Sequence, residues 1–319
     1  MKLFPTTILY RRALLVFFWL LRIHVSSALS PDPRLLSLVV PGSQLVAGMS
    51  APSLQGQPDS FLLITHNNVV DLEDFFAITG SDPSRITHQV IFTAAGDNHG
   101  NLTEHSILVS GHFDPGHILR STPIQYRGIA VLVVSPLERE QQVFNGLRWF
   151  TVLDSDVVLF GTIATVQQEL DRYLAGSTSD ASIVQKLSRL RKDDETWCVL
   201  SGPGHSVEIW GILRMLDPRL GESLEQGGSF EFGIRTGLRV EFEYEIITSS
   251  SADAEVISTS LAKSLAGPNA KASSVLPRLD TAQSGNRIHG VVKVSRPRYA
   301  AWLAEISARG RSRSAVPPH

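Results

Sequence analysis

The most site-like side chains of the sequence lie together in one six-residue stretch, His112 to His117 (HFDPGH). Two imidazoles and a carboxylate at this spacing are side chains that bind divalent metals. The same stretch also fits the start of a helix, with Asp114 as N-cap and Pro115 at the first helical position, while Phe113 packs behind. Because zinc sites use three or four protein ligands, the helix start is the favoured interpretation.

Two further histidines, His99 and His105, precede this stretch. His99 belongs to residues 97–101, a polar segment with glycine that is typical of a hairpin loop between two strands. These histidines reach His112 only if the loop folds back, so we expect structural roles for both. The sequence therefore predicts no metal ligands, and a site formed by His112, Asp114 and His117 is the alternative.

The stretch from Ser201 to Ser206 (SGPGHS) has the glycines of a phosphate-binding loop and a serine that suggests a hydrolase nucleophile. Its spacing matches neither Gly-x-x-x-x-Gly-Lys-Ser/Thr nor Gly-x-Ser-x-Gly, and no lysine follows to meet a phosphate. A turn from a strand into a helix, capped by Ser206 with Glu208 in the first turn, explains the same residues. We therefore predict no catalytic and no cofactor-binding residue in this stretch.

Charged residues alternate with apolar residues in two neighbouring segments, 229–235 and 238–246. A period of two places the two residue types on opposite faces of antiparallel strands. The charged face carries four glutamates: Glu231, Glu241, Glu243 and Glu245. Such a strip offers a surface for cations or basic partners, but a sheet face that contacts water explains the same residues better and is the favoured interpretation.

Composition limits the classes of protein that remain. The chain has 319 residues, 43% of them hydrophobic and 19% charged, which is typical of a globular protein with a real core. Its formal net charge of -2 gives no electrostatic reason to expect a nucleic-acid partner. Cys198 is the single cysteine, so an intrachain disulfide and a cysteine-based metal site are excluded. We expect Cys198 to be a buried core residue of a strand.

The N-terminus is typical of a secretory signal peptide at residues 1–28. Lys2, Arg11 and Arg12 precede an apolar run at 13–21, and small residues allow cleavage after Ala28. The uninterrupted run is short for a bilayer span. We therefore predict a periplasmic or secreted protein with no stable membrane span after cleavage, and an uncleaved anchor is the alternative.

Helix-capping residues and the alternation of apolar and charged residues predict the helices and strands that position these residues. Two capping boxes predict helices that begin at Thr165 and Ser250, because a Ser or Thr and an acidic or amide side chain three residues later satisfy N–H groups of the first turn. Gly176 is expected to end the first of these helices. The two alternating segments predict a hairpin whose apolar faces agree if its loop is 235–237, with Gly237 at positive φ.

Strands and helices follow a similar order in two parts of the chain, 31–176 and 177–308. Each order fits a split β-α-β unit of the ferredoxin-like kind. A strand leads into a helix that starts with proline at 107–115 and again at 290–297, which favours an internal duplication. We therefore predict an α+β protein of two related halves with largely antiparallel sheets, in one fused body or two domains, followed by a disordered tail at 309–319.

Four short motifs stand out after the N-terminal segment: Thr79-Gly80-Ser81-Asp82-Pro83, Gly111-His112-Phe113-Asp114, Tyr126-Arg127-Gly128, and Trp197 followed by Ser201-Gly202-Pro203. Through these motifs the chain resembles a family of uncharacterised exported proteins of soil bacteria. The likeness extends over most of the chain after the signal. It implies export and a common fold, and the family has no assigned activity and no catalytic residues to transfer.

Export, duplication and the lack of a recognisable motif together predict a non-enzymatic envelope protein. Its sheet face, or the groove between its halves, would meet a protein partner or a small ligand. The alternative is an exported metal-dependent hydrolase that uses His112, Asp114 and His117. We predict no cofactor.

Overall fold

A computed structural model describes residues 31–50, 87–96, 102–118, 122–134, 147–191, 193–202, 222–223, 226–266 and 280–301. The predicted signal peptide, His99, Ser206 and the tail at 309–319 lie outside these residues. Within the described ranges, no helix combines the length and the apolar character that crossing a bilayer requires.

Twelve strands form one sheet in which every neighbouring pair is antiparallel. The strands are β1 (Leu45–Ser50), β2 (Thr87–Gly96), β3 (Leu102–Gly111), β4 (Ile124–Tyr126), β5 (Ile129–Val134), β6 (Arg148–Leu153), β7 (Val157–Thr162), β8 (Thr196–Ser201), β9 (Ser229–Thr236), β10 (Arg239–Ile247), β11 (Asp280–Ser284) and β12 (Arg287–Ser295). Their order across the sheet is β11-β12-β10-β9-β8-β1-β2-β3-β7-β6-β5-β4.

The strand order is mirrored about the centre of the sheet, where β1 pairs with β8. The hairpin of β2 and β3 follows β1 on one side, and the hairpin of β9 and β10 follows β8 on the other. Each central strand therefore pairs with the first strand of the hairpin that comes after it in the chain. The predicted α+β class with a largely antiparallel sheet is confirmed.

Five helices of the described residues accompany this sheet, and residues 296–301 are also helical. They are α1 (Pro33–Leu38), α2 (Pro115–Ile118), α3 (Ile163–Leu174), α4 (Ala181–Leu187) and α5 (Ser251–Ala266). The start of α2 is as predicted: Asp114 Oδ1 accepts a hydrogen bond from the Gly116 N–H at 3.0 Å, and Phe113 is buried behind it. Asp180 caps α4 by accepting from the Ser182 N–H at 2.7 Å.

The two predicted capping boxes have different outcomes. The box at Ser250 is confirmed, because the Ser250 hydroxyl accepts from the Asp253 N–H at 3.1 Å and donates to the Asp253 carboxylate at 2.6 Å. The box at Thr165 is wrong: α3 already begins at Ile163, and the Thr165 hydroxyl contacts that of Thr162 at 2.8 Å. The end of α3 is as expected, since Gly176 has a φ of 59°.

Apolar side chains cover both faces of the sheet, but unequally. One face carries the large aromatic core and receives the apolar stripe of α5, which consists of Ala254, Ile257 and Leu261. The opposite face packs against α1 and α3 over β1, β2, β3, β6 and β7. On that second face, the part formed by β9, β10 and β12 carries charged residues instead.

The β9–β10 hairpin has the predicted faces, but its loop lies elsewhere. Thr236 pairs with Val240, so residues 237–239 are the ones that do not pair between β9 and β10. This three-residue loop lies two residues later than predicted. Gly237 is not among the glycines with positive φ, which corrects the second part of that prediction. The apolar residues still share one face, because moving a three-residue loop by two positions preserves the alternation.

Candidate functional site

The polar part of the second sheet face is the candidate site, and we call it the polar face. Antiparallel pairing aligns alternate residues of β8, β9, β10 and β12 on this side. Besides the apolar Trp197, Val199, Ile247 and Val291, this side carries Ser201, Ser229, Glu231, Gly233, Arg235, Glu241, Glu243, Glu245, Arg287, His289 and Lys293. Helix α4 and residues 188–191 and 193–195 lie against it and add basic and acidic side chains of their own.

Glu231 is the most deeply buried acid of the polar face. Its side chain is inaccessible to solvent, and Arg189 Nη1 lies 2.6 Å from its Oε1. Burial raises the pKa of Glu231, and the positive charge of Arg189 opposes that rise. Within the described part of the chain, Glu231 Oε2 has no hydrogen-bond partner. Arg189 is therefore the main stabiliser of the ionised form of this buried carboxyl, with smaller contributions from the Ser229 hydrogen bond and the charge of Lys186.

Asp194 lies directly on the backbone of Gly233. A Cβ atom at position 233 would collide with the Asp194 carboxyl group, so a larger residue there requires the Asp194 side chain to move. Asp194 Oδ2 accepts a hydrogen bond from the Arg191 N–H at 3.1 Å. Burial, with repulsion from the nearby Glu243, raises the pKa of Asp194 to about 7. Near neutral pH, this carboxyl is therefore only partly ionised.

Glu243 has basic neighbours at longer range. Arg191 Nε lies 3.8 Å from one of its carboxylate oxygens, and His289 Nε2 lies 3.6 Å from the other. Both distances exceed those of hydrogen bonds. The two adjacent carboxyls of Asp194 and Glu243 therefore retain capacity to accept hydrogen bonds from a cation.

Glu241 and Glu245, which flank Glu243 on the same side of β10, have closer basic partners than Glu243 has. Lys293 Nζ lies 3.1 Å from Glu241, and Arg235 also donates to Glu241. Burial alone would raise the pKa of Glu241, but the hydrogen bonds from Lys293 and Arg235 outweigh it and lower the pKa. Glu245 pairs with Arg287 in the same manner.

The acidic strip is therefore not the water-facing surface that we favoured from the alternation. Glu231 is fully buried and Glu245 is nearly so. The physical reason is that the segment after α4 crosses this face and places Arg189 and Arg191 against it. Alternation along a strand reports which residues share a face, but not what another segment places over it.

A serine and a lysine meet at the other end of the polar face. Ser201 ends β8, and Lys186 of α4 lies with its Nζ 2.6 Å from Ser201 Oγ. Burial and the positive charge of Arg189 lower the pKa of Lys186, while the negative charge of Glu231 opposes this. Ser229, beside Ser201 in the register, donates instead to Glu231 Oε1 at 3.1 Å.

The histidine-rich stretch occupies a different place, at the end of β3. His112 is exposed, with its Nδ1 3.7 Å from Asp156 Oδ1 and its ring in edge contact with that of His88. Asp114 caps α2, and the side chain of His117 lies outside the described residues. Among the side chains that the structure describes, no group of three or more His, Cys, Asp or Glu is arranged to hold a metal ion.

His105 is buried inside β3, far from His112. Seven residues of extended chain separate the two, which corresponds to about 23 Å at the usual rise per residue. They cannot bind one ion at bond lengths of about 2 Å. Cys198 is buried in β8 as predicted, and burial raises the pKa of its thiol.

A third polar cluster lies in the core between α3 and the sheet. The hydroxyls of Thr93 and Ser106 are 3.0 Å apart, and the Ser106 hydroxyl donates to Glu169. Glu169 is fully buried, and burial raises its pKa to about 8, against the opposing effect of the Ser106 hydrogen bond. At neutral pH, Glu169 is therefore mainly a neutral carboxylic acid.

Sequence reasoning missed Lys186, Asp194 and Glu169, although two of them left a signal. Lys186 and Arg189 are two basic residues close together in the sequence, at the end of α4 and directly after it. Glu169 lies between Val166 and Leu170 on the buried stripe of α3. No protein-family model matches this chain, and neither the curated proteins nor the solved structures contain a match to it.

Proposed function

We propose that the protein is an exported α+β binding protein, periplasmic or secreted, that holds a basic ligand or a basic segment of an envelope partner on its polar face. Export rests on the signal-like N-terminus and on the resemblance to exported bacterial proteins. The site rests on the described charges of β9, β10 and residues 188–195.

The neighbouring carboxyls of Asp194 and Glu243 support this proposal best. An ammonium or guanidinium group placed between them would donate charge-assisted hydrogen bonds to both. Their own basic neighbours, Arg191 and His289, remain at 3.8 and 3.6 Å from Glu243. A cationic ligand would also favour the ionised form of Asp194, whose pKa of about 7 makes that ionisation costly in acid.

We also propose that the body arose from two related split β-α-β halves. The mirrored placement of β1, β2, β3 and of β8, β9, β10 supports this. The polar face would then be specific to the second half, because the corresponding face of β1, β2 and β3 is covered by α1 and α3.

Calorimetric titration with spermidine and with a trilysine peptide tests the binding proposal. We expect the affinity to increase as the pH rises toward 7, by up to about tenfold per pH unit, because binding requires Asp194 to lose its proton. Above pH 7 the affinity should become constant. Glu243→Gln should weaken binding by about tenfold or more. Glu255→Gln is the matched control, since Glu255 is an exposed glutamate of α5 and the charge change is the same.

Three outcomes would contradict the proposal. The first is that wild-type protein binds neither probe. The second is an equal loss of affinity in Glu243→Gln and Glu255→Gln, which would indicate unspecific charge attraction. The third is an affinity that does not change between pH 6 and pH 8.

A further inference from the structure

Lys186 and Ser201 form a pair that ligand binding by the polar face does not require. The Lys186 ammonium group lies 2.6 Å from Ser201 Oγ, a full hydrogen bond between two side chains from separate elements. Both residues are partly exposed. Gly202, directly after the serine, has a φ of 81°, which glycine adopts without strain.

We propose that Ser201 is a nucleophile, that Lys186 is its general base, and that the substrate is a carboxylic ester or a comparable acyl donor. A serine activated by a lysine is one of the established solutions for acyl transfer. This assigns a covalent activity, which goes beyond binding, to the end of the polar face where Ser201 and Lys186 meet.

The charges around Lys186 suit a base. Burial and Arg189 favour the neutral amine, while Glu231 and Asp180 favour the ammonium form. Arg189 is itself held 2.6 Å from Glu231, and its positive charge offsets part of the effect of that glutamate on Lys186. The neutral amine, 2.6 Å from Oγ, is within reach of the serine proton.

The reaction balances with an ester and water. Ser201 Oγ forms a bond to the carbonyl carbon while its proton moves to the neutral Lys186 amine. The tetrahedral intermediate then collapses, the carbon–oxygen bond to the leaving group breaks, and Lys186 returns the proton to the departing alkoxide. Water repeats these steps on the acyl-serine, which releases the carboxylic acid and restores the hydroxyl.

Labelling with a fluorophosphonate probe tests the pair directly. Ser201 Oγ bonds to phosphorus as the phosphorus–fluorine bond breaks, fluoride leaves, and Lys186 takes the proton. We expect peptide mapping of the labelled wild-type protein to place one adduct on Ser201. The labelling rate should rise with pH along a curve whose midpoint lies below 10.5, the ordinary pKa of a lysine.

Two variants of Lys186 distinguish a general base from a lysine that has only a structural role. Lys186→Met should slow labelling by about 100-fold or more, the usual loss of a general base. Lys186→Arg should be as slow, since a guanidinium keeps the charge but does not accept a proton at these pH values. Ser258→Ala is the matched control, because it removes a partly exposed serine hydroxyl of α5, which packs on the opposite face of the sheet, and its rate should stay within about twofold of wild type.

Each contrary outcome overturns the inference. An adduct on another residue, or no adduct on the wild-type protein, removes Ser201 as a nucleophile without any variant having to fold. A Lys186→Arg or Lys186→Met protein that unfolds as the wild type does and labels at the wild-type rate removes Lys186 as the base.

Discussion

The free energy of unfolding of Glu169→Gln, compared with that of wild type, should become more favourable to the variant as the pH rises. Glu169 is fully buried between α3 and the sheet and is hydrogen-bonded by Ser106. Glutamine has nearly the same shape and can accept the same hydrogen bond from Ser106. Its side chain does not titrate, so the substitution removes one ionisation equilibrium and leaves the packing almost unchanged.

The expected magnitude follows from the two pKa values of this carboxyl. Its ordinary pKa is 4.5, whereas burial raises it to about 8 in the folded protein. Between these values the unfolded chain has released a proton that the folded chain still holds, so the free energy of unfolding falls by about 1.4 kcal/mol per pH unit. The accumulated loss is about 1 kcal/mol at pH 5 and about 3 kcal/mol at pH 7.

Urea unfolding of both proteins at pH 5, 6, 7 and 8 measures this difference. Buried Asp194 and Glu231 also have raised pKa values and contribute to the pH dependence of the wild type, but they are present in both proteins. We expect the stability of Glu169→Gln minus that of wild type to increase by about 2.5 kcal/mol from pH 5 to pH 7. A fixed cost of accommodating the amide group does not change with pH and cancels.

A stability difference that stays constant across this range would refute the reasoning, since Glu169 would then have the same pKa in both states. Ser106→Ala provides a second comparison. The Ser106 hydrogen bond lowers the pKa of Glu169, so its removal should extend the falling part of the stability curve to higher pH. A curve that ends at lower pH would contradict the assigned role of Ser106.

Two substitutions on the polar face have definite expected effects. Gly233→Ala should destabilise the protein by about 1–3 kcal/mol, because the new methyl group collides with Asp194; wild-type stability in thermal unfolding would show that Asp194 does not occupy this position. Arg189→Met should cost about 3–5 kcal/mol at pH 7, because Glu231 stays buried without its cation. That cost should shrink in acid as Glu231 is protonated, and a cost in urea unfolding that is below 1 kcal/mol or independent of pH would contradict the pairing.

The sequence predicted which side chains share a face of β9 and β10 better than it predicted how the two strands pair. Alternation placed Phe230, Phe232 and Ile234 on one side of β9 correctly, and Ile234 pairs with Phe242. The predicted loop would have paired Ile234 with Leu238 instead. Both registers keep the apolar residues together, so the pattern alone cannot choose between them. Leu238, which the prediction placed in a strand, is fully exposed at the hairpin loop.

The candidate site was only partly predictable, for a related reason. The four glutamates were identified as one surface, and the register confirms that Glu231 and Glu245 lie beside each other. What covers that surface depends on the path of residues 188–195, which no periodicity in β9 or β10 encodes. Arg189 lies 42 residues from Glu231 in the sequence, and their contact exists only after the sheet has formed.

Sequence separation therefore divides the polar residues of this protein by role. Ser250 and Asp253 are three residues apart and satisfy the backbone of one helix end. Lys186 and Ser201 are 15 apart, and Ser106 and Glu169 are 63 apart. The local pair of Ser250 and Asp253 completes hydrogen bonds that a helix end lacks, and so it has little capacity left for a ligand. The distant pairs place ionisable groups in partly or fully buried surroundings, where burial shifts the pKa values that binding and catalysis depend on.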